Sequence, residues 1–70
     1  MDSAYRDDAR RVLTALRENE RMSTAELAEV VGRSRPSARR VLDLMREADL
    51  IDWAGKSTND PRAYWHLPVN

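Results

Sequence analysis

Cysteine is absent from this 70-residue chain, so disulfide frameworks, thiolate zinc sites and thiol nucleophiles are excluded and the fold must stand on packing alone. Phenylalanine is also missing, which leaves two tryptophans and two tyrosines as the whole aromatic complement. A domain this small must place Trp53 and Trp65 at least partly in its core. The two glycines, Gly32 and Gly55, stand too far apart to cradle a nucleotide phosphate. The single histidine, His66, has no cysteine or second histidine with which to share a metal. Asp7 with Asp8, and Glu18 with Glu20, read as exposed acids near helix ends that serve dipole and solubility, not as a catalytic pair. No apolar run approaches the roughly 18 residues of a membrane span. The start, Met1 to Asp8, is acidic, unlike a basic signal-peptide head. The expectation is a cytoplasmic, non-enzymatic protein with no cofactor, metal, membrane partner or small-molecule ligand.

What is present is an ordinary globular balance, 41% hydrophobic and 34% charged, in a chain long enough for one small core. Residues 1–70 are therefore expected to form a single domain. From about Ala4 to Glu18, Tyr5, Ala9, Val12, Leu13 and Leu16 make one helical stripe, while Arg6, Asp7, Arg10, Arg11 and Arg17 face away. Asp2 or Ser3 caps this helix, Asp7 and Asp8 lie in or near its first turn, and Asn19 ends it.

Ser23 and Glu26 have the spacing of a capping box and predict a second, short helix, with Leu27, Val30 and Val31 as its apolar face and Gly32 as a left-handed stop. Ser34 then caps a third helix, with Pro36 in the first turn where its missing N–H costs little. Ala38, Val41, Leu42, Met45 and Ala48 recur at helical spacing, which turns Arg35, Ser37, Arg39, Arg40 and Asp43 toward solvent. Met22, Leu44 and Met45 read as packing residues. Beyond Leu50, the runs Leu50-Ile51-Asp52-Trp53-Ala54 and Ala63-Tyr64-Trp65-His66-Leu67 predict a hairpin with a long loop, and Pro68 stops its second strand.

Overall charge points to no partner, because twelve basic residues balance twelve acids. Its distribution is more informative. Arg33, Arg35, Arg39 and Arg40 fall within eight residues that hold no acid, a local charge of +4. Residues 1–31 carry seven acids against five bases, net −2, and residues 32–70 carry seven bases against five acids, net +2. The chain is electrically polarised.

The order helix, helix, tight turn, helix, hairpin resembles the winged helix-turn-helix family, and residue types agree with it. Thr24-Ala25-Glu26-Leu27-Ala28-Glu29-Val30-Val31-Gly32 is similar to that family's first helix and turn, and Ser34-Arg35-Pro36-Ser37-Ala38-Arg39-Arg40-Val41-Leu42 to its recognition helix. Leu44-Met45-Arg46-Glu47-Ala48-Asp49-Leu50-Ile51 resembles the habitual exit, with Asp49 where glycine is commoner. Pro61-Arg62-Ala63-Tyr64-Trp65-His66-Leu67 is similar to the return strand. The winged binders of Z-form nucleic acid fit less well, because the Asn and Tyr they place on the third helix fall at Arg39 and Asp43 here.

The resemblance implies a mainly α fold of three helices with a two- or three-stranded wing. It implies sequence-preferring binding of double-stranded DNA, with a recognition helix at about 34–48 in the major groove and a wing at about 55–62 on backbone or minor groove. The chain would be a small transcription regulator or the recognition module of a larger protein; it also resembles the C-terminal winged domain of DNA translocases. A homodimer on palindromic half-sites is compatible with it.

The expected contacts are Arg39 and Arg40 on base edges or adjacent phosphates, helped by Arg35 and Ser37. Arg33 completes the cluster, and the helix start at Ser34 meets phosphate. Asp43 either orients an arginine or accepts from cytosine, and Lys56, Ser57 and Arg62 belong to the wing. The alternative is a protein-docking winged helix whose Arg33 to Arg40 patch meets an acidic partner.

Overall fold

The computed structural model describes residues 3–55 and 62–69. Asp2, Lys56, Ser57 and the rest of the predicted wing loop up to Pro61 lie outside them. Three helices, α1 (Ser3–Asn19), α2 (Thr24–Val31) and α3 (Arg35–Glu47), are accompanied by short strands β1 (Arg21–Met22), β2 (Asp52–Ala54) and β3 (Tyr64–His66). The sheet is antiparallel in the order β1-β3-β2, with the return strand in the middle. Met22 and Trp53 both stand opposite Trp65, which gathers these three side chains on the face turned to the helices.

Each helix ends on a residue with positive φ, and only one of the three is glycine: Glu20 at 62°, Gly32 at 69° and Asp49 at 60°. After α1, the Glu20 N–H donates to the Leu16 carbonyl at 3.0 Å, and the reversal lays Arg21 and Met22 alongside β3. This is the strand for which the sequence names no residues. After α2, the Gly32 N–H donates to Glu29 and the Arg33 N–H to Ala28; after α3, the Asp49 N–H donates to Arg46 and the Leu50 N–H to Met45. Both are Schellman turns, and an aspartate tolerates the left-handed conformation better than most L residues. At the helix starts, Ser23 and Glu26 close the predicted capping box, and Ser34 Oγ accepts from the Ser37 N–H.

The core joins Val12 and Leu16 of α1, Leu27 of α2, Leu42 and Met45 of α3, and Ile51 and Trp65 from the sheet side. Trp65 is fully buried, and its indole N–H donates to Thr24 Oγ1 at 2.9 Å, so the core's largest side chain leaves no orphaned donor.

Several expectations require correction. Asp7 and Asp8 are near the first turn of α1 but not in it, because the helix begins at Ser3. Asp8 is no exposed acid but is 3% exposed, on the same stripe as Tyr5 and Val12. Leu44 is not a packing residue, being 52% exposed, and Ala48 at the end of the predicted stripe is exposed as well. Arg39 does not project outward; it is half-buried.

Candidate nucleic-acid interface

α2, the Gly32 turn and α3 hold the arginine cluster, and the structure divides its four members between different jobs. The Arg33 backbone closes the α2 turn, and its Nε donates to Asp8 Oδ2 across to α1. Asp8 has a second cation, Arg11, at 3.9 Å. A buried carboxylate in a small core must be compensated, so Arg33 is in the first place a clamp between α1 and the α2–α3 turn. Its side chain still keeps 39% exposure.

Arg39 lies across the wing side of α3. Its guanidinium carbon sits 4.9 Å from the Trp53 ring and 5.1 Å from the Trp65 ring, and its Nε donates to Asp43 Oδ1 at 3.0 Å. The two indoles are 4.7 Å apart and tilted by 51°. Cation–π attraction to two rings plus a charged hydrogen bond holds this side chain sideways, at 23% exposure. Asp43 is thereby neutralised beside the helix face it would otherwise make negative.

Arg35 and Arg40 are exposed and make no ion pair among the described residues. Ser34 Oγ donates to Ser37 Oγ at 3.2 Å, which ties the two hydroxyls together at the start of α3. Arg62 is exposed at the entry to the return strand. Lys56 and Ser57 fall outside the described residues. On the wing's outer face, Arg21 stacks over Tyr64 at 5.3 Å.

Two of these features escape a reading by composition. The Asp8 to Arg33 pair left one signal, since Asp8 sits on the apolar stripe when α1 is drawn at 3.6 residues per turn. The Arg39 cage left only its i, i+4 relation to Asp43, because the indoles come from β2 and β3.

The three helices and small antiparallel sheet, with a tight turn between α2 and α3, define a winged helix-turn-helix. Comparison with known families matches residues 7–52 to the family described as "Helix-turn-helix domain". That stretch is well over half of the chain and runs from α1 into β2, and the chain belongs to this family. The class is one of DNA-binding domains. No curated protein matches the chain.

Proposed function

We propose that the domain binds duplex DNA with sequence preference by laying the outer face of α3 in the major groove, either as a small transcription regulator or as the recognition module of a larger protein. The observation that carries this reading is the pair Arg35 and Arg40, exposed and without ion-pair partners among the described residues on the helix that follows the tight turn. A guanidinium fork offers two parallel donors to guanine O6 and N7, and a cation without a carboxylate partner is available for that contact. Arg40 is the base-reading residue, Arg35, Ser34 and Ser37 meet bases or phosphate at the helix start, and Lys56, Ser57 and Arg62 follow the backbone from the wing. Arg33 adds positive field from its exposed part. Arg39 and Asp43 hold recognition helix and wing together.

The test is a titration with labelled random and selected duplexes at two salt concentrations. If about four phosphates are neutralised, a fourfold rise in salt weakens binding roughly a hundredfold. Arg40→Ala costs about 1–3 kcal/mol and relaxes preference at one base position, whereas Lys56→Ala weakens all sequences alike. The formal net charge of zero favours a second reading, docking to an acidic protein surface. Failure to bind any duplex at low salt selects it.

A further inference from the structure

Resting on that DNA-binding reading, we infer that Leu44 is a specificity-determining residue that reads the C5-methyl group of a thymine within about two base pairs of the base contacted by Arg40. Leu44 is 52% exposed in the C-terminal half of α3, while Leu42 and Met45 on either side of it in sequence are buried; Val30, Leu50 and Val69 are the other exposed large aliphatic side chains among the described residues, and none of them lies on α3. Exposure alone says little, since single apolar residues are common on surfaces. Position says more. At 3.6 residues per turn, Leu44 lies about 40° around α3 from Arg40 and about 130° from the middle of the buried line Ala38, Leu42 and Met45.

Ser37, Arg40 and Leu44 thus follow one another along a single outer face: a hydroxyl, a cation and an aliphatic group. Two flanking charges that would spoil this row are accounted for. Arg39 is drawn sideways onto Trp53 and Trp65, and Asp43, the neighbour of Leu44, is neutralised by Arg39. Glu47, exposed one turn beyond Leu44, bounds the row, since a carboxylate further along would meet phosphate.

The chemistry of the major groove supplies the occupant. Among the four bases only thymine presents an apolar group there, its methyl, and aliphatic side chains contact it. A rise of 1.5 Å per residue separates Arg40 from Leu44 by about 6 Å along the helix, roughly two base steps of 3.4 Å. Arg40 on a guanine therefore sets Leu44 over a base pair within about two steps of it. Removing one methyl from such a contact weakens binding about fourfold.

The probe is a duplex enriched from a random-sequence library by the wild-type protein, with each thymine replaced in turn by uracil, which keeps the pairing and the O4 acceptor but lacks the methyl. Wild type is expected to bind about fourfold more weakly when one thymine, within about two base pairs of the guanine whose preference Arg40→Ala relaxes, is replaced. Leu44→Ala should bind thymine and uracil versions equally, and Leu44→Met should keep the difference. Wild-type indifference to uracil at every position, or a difference that survives in Leu44→Ala, overturns the inference while duplex binding itself stands. Failure of the wild type to enrich any duplex removes the DNA-binding reading and this inference with it.

Discussion

Replacing Arg33 by alanine separates the two roles this residue could play. The substitution leaves Asp8, 3% exposed, with Arg11 at 3.9 Å as its remaining cation. Breaking a fully buried pair from one side costs about 3–5 kcal/mol. Here the arginine is 39% exposed, so solvent already screens part of the interaction, and Arg11 with entering water compensates part of the carboxylate. About 2 kcal/mol is the expected loss. For a domain of this size each kcal/mol moves the midpoint by about 4–8 °C, so thermal unfolding by circular dichroism should shift down by about 8–16 °C. Asp8→Ala removes the acid and leaves an arginine that can turn to water, so it costs less. The double variant should be more stable than the sum of the two losses implies by at least about 1 kcal/mol. At a temperature where all variants are folded, duplex affinity of Arg33→Ala should fall much less than that of Arg40→Ala. A loss below about 0.5 kcal/mol, within the range of surface pairs, or strict additivity in the double variant, would refute the clamp.

Arg39→Ala should remove about 0.5–2 kcal/mol of cation–π stabilisation and red-shift tryptophan emission as Trp53 gains water; Arg39→Lys keeps the charge but not the planar stack, and should restore only part of it. An unchanged emission spectrum in Arg39→Ala would show that the guanidinium does not cover the ring. Thr24→Val leaves the buried Trp65 N–H without its acceptor and should cost about 1–3 kcal/mol in chemical denaturation, while Thr24→Ser should be close to wild type. Gly32→Ala meets no atom within 4 Å, so its cost should be only that of a left-handed alanine, about 1–2 kcal/mol, with no change in duplex preference.

What was legible in the sequence was whatever a few neighbouring residues decide among themselves. Ser23 with Glu26, Gly32, and Ser34 with Pro36 carry their helix boundaries in contacts spanning four residues or fewer, and the apolar spacing of α1 and α3 points to Ala9, Val12, Leu16, Ala38, Leu42 and Met45 of the core. The order of elements and the residue types of 24–32, 34–42 and 44–51 resemble a winged helix-turn-helix, and the local charge of residues 33–40 adds a candidate surface for an anionic partner. Tertiary structure decided which way the charged side chains turned. Asp8 became a buried anion because Arg33, distant in the chain, arrived beside it, and Arg39 left the outer face because two indoles from the sheet offered it a better environment than water. Leu44 moved the other way: the stripe on α3 was already filled by Ala38, Leu42 and Met45, and no element among the described residues covers its far side. Helix formation is set by contacts within a turn, but the surroundings of a long cation or an aliphatic group depend on which segments meet there, and those are assembled only when the chain closes on itself.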